Sequence, residues 1–460
     1  MRRPTILSRP RPRSVLAGLC ALAALALAQA AAASEPVSRT TGAGIPYIHV
    51  DLPDAPYGTI VLAWPNTHAL RSPGREGLIS LGPQHMGARI DGAPARALGE
   101  RLDDARQGFV LTNTLHDTRL ALLSQQVGGE AYRPAARIAA DLLVRADLDA
   151  DDLGRLARTM LDNLVATERN PGFMAERALG AFVGGGDRRL SALTNRPTST
   201  VEDVTAQDVA AWRAAVFDRR PVVVAAGPQP QAAIAGAIDT VLEALPAESV
   251  PSPEPVPVAW HNLGDTVVVD APEAAQAIVI AAIPTAAHHL HDRLLVSALA
   301  GGPGSLLFEA LRSRIGAAYD VGVRVYAITP DQALVGFGAA VPPDRAAEVA
   351  TTMRETLVSL ADGLPDGAFA RTRDREFAVL SQAASDPNAW AQAVLARRAE
   401  GLDGGLDAMI EALEGLASDA LDAYVSATFA TPVTVAVVTP RPEAFSARCV
   451  VDLPEDAAGC

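Results

Sequence analysis

The chain has 460 residues, of which 49% are hydrophobic and only 4% are aromatic. Its net charge at pH 7 is −14, and all 39 of its basic residues are arginine. Because single cores stop growing at about 250–300 residues, this length predicts two domains of roughly 200 residues each. An acidic surface repels phosphate groups, so we expect neither nucleic acid nor anionic lipid headgroups as partners.

Residues 1–33 have the pattern of a secretory signal peptide. An arginine-rich start precedes an apolar run and a small-residue cleavage pattern, either Ala28-Gln29-Ala30 or Ala31-Ala32-Ala33. We therefore expect a periplasmic or secreted protein with no stable membrane span after cleavage. The apolar run is long enough to cross a bilayer, so a retained N-terminal membrane anchor is the alternative.

The first half, residues 44–245, groups strand patterns apart from helix patterns. Its predicted strands are the runs IPYIHVDLP, TIVLAWP, GFVLTNTLH, TRLALLSQQV and PVVVAAGP. Its predicted helices cover Arg75–Arg89, Ala95–Asp104, Tyr132–Arg145, Ala150–Arg169 and a last segment ending at Leu245. The glycine cluster Gly184–Asp187 follows no strand and has no phosphate-loop lysine, so we interpret it as a flexible connection.

A proline-rich stretch, residues 246–262, is a predicted linker, because closely spaced prolines exclude a helix or a central strand. The second half, residues 263–445, then repeats the order of the first. Its predicted strands are DTVVVDAP, QAIVIAAIP, AAYDVGVRVYAI, QALVGFGAAV and TPVTVAVVTP. Its predicted helices cover His291–Ala300, Ser305–Arg314, Arg345–Gly363, Asp366–Ala384 and one more segment before the last strand.

This repetition predicts an α+β protein of two homologous halves, each an antiparallel-rich sheet with helices packed on one face. Residues 446–460 are predicted to be a C-terminal tail. Cys449 and Cys460 lie in this tail, where they could form a disulfide in an oxidising compartment or remain free thiols. The histidines of His288-His289-Leu290-His291 point in different directions and have no complete set of neighbouring ligands, so we discount a metal site there.

The stretch from Gly304 to Ala327, GSLLFEALRSRIGAAYDVGVRVYA, resembles the second-half signature of the pitrilysin/insulinase zinc peptidases, also called inverzincins. The resemblance extends over about residues 44–445 and implies the duplicated fold of that family, of the LuxS/metallopeptidase type. It also implies that Arg312 and Tyr319, seven residues apart as in the family, bind the substrate backbone. An arginine fork can donate to a carbonyl oxygen and a tyrosine hydroxyl can stabilise an oxyanion. Gly316 would allow the corner between helix and strand.

The zinc-binding H-x-x-E-H motif of that family is degenerate in this chain. One alignment puts Leu81 at the first histidine, Gln84 at the general-base glutamate and His85 at the second histidine. The other alignment puts Ser80, Pro83 and Gln84 at the same three positions. Either alignment loses the base and at least one ligand, so we expect no zinc bound by this chain.

The distal ligand of the family is also replaced. Asn163 falls where the resemblance requires a glutamate ligand, and Leu156 falls where the family has a supporting glutamate. Asp162 adjoins Asn163, so a shift by one residue would restore an acid there. It would restore neither the first histidine nor the base.

The resemblance therefore implies a catalytically incomplete subunit that binds unfolded peptides and complements a zinc-bearing homologous peptidase subunit. Arg312 and Tyr319 would complete the active site of that partner, as in two-subunit members of the family. A non-catalytic envelope scaffold or peptide-binding protein of the same fold is the alternative, and a hydrolase that uses other residues is a third. The glycine-rich segment Gly301–Gly304 fits the lip of a substrate cleft, and also an ordinary loop.

Overall fold

The computed structural model describes residues 35–65, 77–113, 117–187, 190, 201–243, 245, 257–286, 289–318, 321–329 and 331–460. The predicted signal peptide, most of the predicted linker and Tyr319 lie outside these residues. In the described ranges, no helix combines the length and the apolar character that a membrane crossing needs.

The first half forms a six-stranded sheet with helices packed on it. The strands are β1 Val37–Thr40, β2 Pro46–Asp51, β3 Gly58–Pro65, β6 Gln107–Asn113, β7 Asp117–Ser124 and β8 Val222–Gly227, and the short hairpin β4 Arg89–Ile90 and β5 Ala93–Pro94 lies apart from the sheet. The helices are α1 Leu78–Ala88, α2 Ala95–Asp104, α3 Arg133–Arg145, α4 Ala150–Glu168, α5 Pro171–Gly184, α6 Ala206–Phe217 and α7 Gln231–Leu242.

The second half forms another six-stranded sheet. Its strands are β9 Thr266–Asp270, β10 Ala277–Thr285, β11 Gly322–Thr329, β12 Gln332–Val341, β13 Thr434–Thr439 and β14 Cys449–Val451. Its helices are α8 His289–Ala300, α9 Leu306–Phe308, α10 Ala346–Val358, α11 Ala368–Ala383, α12 Pro387–Ala399, α13 Leu406–Gly415 and α14 Ser418–Phe429. A π-helix over Glu309–Arg314 continues α9.

The two sheets have the same topology. The first has the order β1-β2-β8-β3-β7-β6 and the second the order β14-β9-β13-β10-β12-β11, so five strands correspond one to one. In each sheet these five strands form four pairs, of which one is parallel, β2 with β8 and β9 with β13, and the other three are antiparallel. The predicted fold class, an α+β protein of two similar halves, is thereby confirmed.

Each half contributes one helix to the sheet of the other half. Helix α12 packs on β3 and β8 of the first sheet, and helix α5 packs on β9, β10 and β13 of the second. The strands alternate accordingly: Ile60 and Leu62 point to the helices of their own half, whereas Val61 and Ala63 belong to the core shared with the second half. The helices of each half lie on one face, as predicted, and the crossing helix covers the other.

The crossing helices begin with the same local device. Asn170 caps α5 by accepting a hydrogen bond from the Gly172 N–H at 2.8 Å, and Asp386 caps α12 by accepting one from the Asn388 N–H at 2.9 Å. In both cases a proline follows the cap at the first helical position, where its fixed φ and missing N–H cost nothing. The repeat is therefore visible in these caps as well as in the sheets.

The predicted tail is an ordered part of the second half. β14 pairs in parallel with β9, and a 3₁₀-helix over Pro454–Gly459 packs against α5. Cys449 and Cys460 form a disulfide, which settles the alternative left open by the sequence. The segment thus fastens a helix of the first half to the sheet of the second.

Candidate functional site

A cleft of 740 Å³ lies between the first sheet and α12 of the second half. Its lining combines backbone, apolar side chains and a few charged groups, which is typical of binding sites. The lining residues are Tyr57, Val61, Asp103, Arg106, Gln107, Gly108, Val110, Thr112, Arg119, Ala121, Leu123, Ser124, Gln125, Asn388 and Gln392.

Strand β6 forms one long side of the cleft. Gly108, Val110 and Thr112 line the cleft, whereas Phe109 and Leu111 pack against the core of the first half. This alternation follows from the two-residue period of a strand. β6 is the last strand on this side of the sheet as described, so its outer edge offers backbone N–H and C=O groups for pairing.

Polar contacts between the halves hold α12 against the cleft. Arg119 on β7 donates a hydrogen bond to the side-chain oxygen of Gln392, and its guanidinium also contacts Asp117 at 2.7 Å. The hydroxyl of Tyr57 donates to Asp386, the cap of α12. Burial, and then the neighbouring Asp386 carboxylate, raise the pKa of Tyr57 to about 12, so this phenol is neutral at pH 7.

Arg312 lies at the surface of the second half, outside the described lining of the cleft. It belongs to the π-helix Glu309–Arg314, it is exposed, and its guanidinium carbon lies 5.3 Å from the centre of the Phe308 ring. Gly316 has φ 59°, as expected for the corner after this helix. Tyr319 falls outside the described residues, so its convergence with Arg312 stays a prediction.

The helix that would carry a zinc-binding pair is α1. Leu81 and His85 are fully buried, whereas Gln84 is exposed. The His85 Nε2 lies 2.8 Å from the carbonyl oxygen of Asp149, which caps α4, and Nδ1 has no hydrogen-bond partner among the residues that the structure describes. Burial lowers the pKa of His85, so the buried imidazole is neutral at pH 7.

Asn163, at the position of the distal zinc ligand in the family, lies far along α4 from His85. Asn163 is exposed and follows Asp149 by 14 residues, which corresponds to about 21 Å of helix. In the alternative alignment, Ser80 and Gln84 would supply a hydroxyl and an amide, which are poor zinc ligands. Among the described residues, no group of three or more His, Cys, Asp or Glu is placed so that it could hold a metal ion. These side chains do not fit a catalytic zinc.

Two further segments singled out in the sequence have structural roles. The Gly301–Gly304 loop is held by Arg375, which donates to the carbonyl oxygens of Ser297 at 2.8 Å and Pro303 at 3.2 Å. His291 lies 5.0 Å from the ring of Tyr424, and His288 is outside the described residues. The Gly184–Asp187 segment ends α5, where the His261 N–H donates to the carbonyl oxygen of Val183.

The cleft itself was missed by the sequence analysis. Val110 and Thr112 lie in a predicted strand, but nothing in the sequence says which strand is at an edge. Asn388 and Gln392 lie in the helix that crosses between halves, a relationship that only the tertiary structure supplies. One local signal was available: Arg106 follows the predicted helix Ala95–Asp104 at the position where a glycine is usual.

The comparisons with known proteins agree with this architecture. Residues 203–376 match the family profile of the peptidase M16 inactive domain. The peptidase M16 inactive domain from Pseudomonas fluorescens has a similar structure, with a TM-score of 0.73 at 15% identity, covering 88% of this chain and 98% of that one. A protease from Helicobacter pylori gives 0.73 at 12% identity, covering 88% and 100%.

A larger relative contains the same fold in part of its length. The periplasmic protease PqqL from Escherichia coli gives a TM-score of 0.67 at 13% identity, covering 88% of this chain and 46% of that one. No curated protein sequence matches the chain. The profile match over residues 203–376 agrees with the resemblance to the pitrilysin/insulinase peptidases seen in the sequence, and the solved structures show that the fold of the chain is that of a peptidase M16 inactive domain.

Proposed function

We propose that this protein is a catalytically incomplete, exported subunit that binds unfolded peptides and complements a zinc-bearing homologous partner in proteolysis. The observation that carries the proposal is the cleft beside β6, whose edge can pair with an extended chain. An unfolded peptide presents free backbone groups to such an edge, whereas a folded protein has already paired its own. The cleft therefore favours extended polypeptides.

The composition of α1 supports the division of labour between two chains. A buried leucine, an exposed glutamine and a buried histidine bonded to a backbone oxygen replace the ligands and base that hydrolysis needs. Zinc would be held by the partner, and this chain would supply Arg312 and Tyr319. The exposure of Arg312 is compatible with a guanidinium that reaches a second chain.

The test is a cleavage assay with a labelled unfolded polypeptide. The chain alone should bind the polypeptide without cutting it, and cleavage should appear when the zinc-bearing homologue that co-purifies with it is added. Arg312→Ala and Tyr319→Phe should each remove most of that activity, whereas Arg314→Ala, at the end of the same π-helix, should leave it. Full activity of the Arg312→Ala, Tyr319→Phe double variant would refute the role of this pair.

A non-catalytic scaffold is the second candidate. One chain in a solved structure of Complex III2 from Candida albicans has this fold, with a TM-score of 0.69 at 12% identity. The match covers 99% of that chain. A scaffold should co-purify in a stable complex that cuts no peptide, with or without added zinc. Cleavage by the mixture, absent from either component alone, would exclude it.

A further inference from the structure

Arg106 lines the cleft, is exposed, and has a backbone conformation that costs an arginine free energy. Its φ is 50°, in the left-handed region, at the position after the C-cap of α2 where glycine is usual. In the described ranges, the other non-glycine residues with positive φ are Asp91 and Asn262, whose short polar side chains tolerate this region better. Backbone strain of this kind is concentrated at binding and catalytic sites.

Neighbouring groups fix this strained turn. The Ala105 carbonyl oxygen accepts from the Gln126 side chain at 2.7 Å, and the Arg106 carbonyl oxygen accepts from the Gln125 N–H at 3.1 Å. Gln107 is tied to α3, since its side-chain oxygen accepts from the Ala135 N–H at 3.1 Å. The direction in which the Arg106 side chain leaves the backbone is therefore set by the fold.

Apart from Asp103, the other charged groups around the cleft pair with one another or with polar side chains, and not with Arg106. Arg119 is bound to Asp117 and Gln392, and Asp386 accepts from Tyr57. Among the residues that the structure describes, the guanidinium of Arg106 has no hydrogen-bond or ion-pair partner, and neither does the carboxylate of Asp103, which also lines the cleft. An incoming ligand thus meets a free guanidinium in a protein whose net charge is −14.

We infer that Arg106 determines specificity and selects peptides that carry a carboxylate side chain. This inference rests on the proposed function, the binding of an extended peptide along β6. Alternate side chains of such a peptide face the cleft. An aspartate or glutamate facing it near the start of β6 would receive charge-assisted hydrogen bonds from Arg106, which an amide side chain of the same shape would not.

Three labelled peptides of equal length test the inference, with every second residue Glu, Gln or Lys and the same apolar residues between. Fluorescence anisotropy with the full mature chain should show the Glu peptide binding about fivefold tighter than the Gln peptide. The Lys peptide should bind more weakly than both. The protein as a whole repels the Glu peptide, so a preference for it must arise locally, and added salt should reduce it.

Variants assign the preference to Arg106. Arg106→Gln should make the Glu and Gln peptides bind equally, and Arg106→Gly should do so while removing the backbone strain, so that loss of folding cannot explain the result. Asp103→Asn should increase the preference for Glu, because it removes from the cleft lining a negative charge that repels the carboxylates of the peptide. Arg101→Gln, on the exposed face of the same helix and outside the cleft lining, is the control and should leave the preference unchanged.

The outcomes separate the two proposals. Equal binding of the Glu and Gln peptides by the unaltered chain would overturn the role of Arg106 and leave peptide binding standing. A Glu preference that persists in Arg106→Gln would overturn the assignment to this residue. Binding of none of the three peptides would overturn both the inference and the proposed peptide-binding function.

Discussion

Glu176 on α5 of the first half forms an ion pair with Arg324 on β11 of the second half, with an Nε to Oε1 distance of 2.6 Å. The glutamate is buried and the arginine is largely exposed. Six residues after its cap, Glu176 corresponds to Gln392 in α12, which contacts Arg119 of the opposite sheet. Both crossing helices therefore present a side-chain oxygen to an arginine of the other half.

The Glu176 carboxylate predicts a pH-dependent contribution to stability. Burial raises the pKa of Glu176, and the charge of Arg324 offsets this only in part. A pKa raised in the folded state favours the protonated form, so the contribution is complete below the unfolded pKa of about 4.3 and is lost as the pH rises through the folded value. Glu176→Gln should therefore stabilise the protein more at pH 7 than at pH 4.5.

Urea unfolding midpoints of the unaltered chain and of Glu176→Gln, each at pH 4.5 and pH 7, measure this difference in stability. A larger destabilisation by Glu176→Gln at pH 7 than at pH 4.5 would mean that the ion pair with Arg324 outweighs the cost of burying the carboxylate.

The strands were predictable because their patterns are local. Val267, Val268 and Val269 are buried on both faces of the sheet, and such continuous apolar runs mark an interior strand wherever it lies. The repetition of these runs in the same order predicted the repetition of the sheet. The sequence of residues 446–460 does not predict a strand, because β14 has only three residues, too few to show a period.

Helix α5 was missed because its sequence has no amphipathic period. The ten residues from Ala175 to Gly184 are all buried, between the second sheet and the C-terminal segment. Apart from Glu176 and Arg177, these ten residues are apolar or glycine, and a helix that is buried on all sides does not differ in its pattern from a buried strand. The sheet on which it packs belongs to the other half, and no local pattern encodes that choice. The cleft was missed for the same reason.

Tyr57 predicts a second pH dependence, at the alkaline end. Its pKa is raised to about 12, first by burial and then by Asp386, so its contribution to stability is complete below the unfolded pKa of about 10 and is lost between pH 10 and pH 12. Tyr57→Phe should cost about 0.5–1 kcal/mol at pH 8, where it removes the hydrogen bond. The difference between the two proteins should shrink at pH 11.

Unfolding free energies from urea titrations at pH 8 and pH 11 check this prediction. The comparison must be between the two proteins at each pH, because Tyr132, Tyr326 and Tyr424 also have raised pKa values and destabilise both at high pH. A Tyr57→Phe difference that is unchanged from pH 8 to pH 11 would show that the phenol ionises no differently in the folded chain.

The packing of α1 against α6 predicts opposite effects for two glycines of one helix. A Cβ at Gly82 would lie 2.9 Å from two ring carbons of Trp212, which is fully buried, whereas a Cβ at Gly87 meets nothing within 4 Å. Gly82→Ala should therefore cost about 1–3 kcal/mol through overpacking. Gly87→Ala should be neutral or add up to about 1 kcal/mol, because alanine favours a helix.

Thermal and urea unfolding of the two variants measure the effect, and near-ultraviolet circular dichroism reports on the packing of Trp212. If Gly82→Ala and Gly87→Ala stabilise the protein equally, then the Trp212 side chain can move away and α1 is not tightly packed against α6. That result would also weaken the account of α1 as a rigid, buried helix.

The C-terminal clasp, residues 449–460, predicts that a covalent bond in one half controls the docking of a helix from the other. Arg177 on α5 is buried and contacts Glu455 of the clasp, and the Ala457 side chain is fully buried in the core that α5 shares with the second sheet. The disulfide Cys449–Cys460 closes this segment over a sequence separation of 11 residues. Opening it should release the clasp and expose the outer face of α5.

Replacing both cysteines by serine should cost about 2–3 kcal/mol of unfolding free energy, from the loop-closure entropy of so short a loop. The reductant dithiothreitol should lower the stability of the unaltered chain by a similar amount and should leave the double variant unchanged. Limited proteolysis should then cut near the C-terminus sooner, followed by cleavage around α5. If α5 stays protected while the clasp is digested, then the docking of α5 depends on its contact with the second sheet alone. Arg177 would in that case keep an ion pair after the loss of Glu455, because Glu168 lies 3.5 Å from its guanidinium.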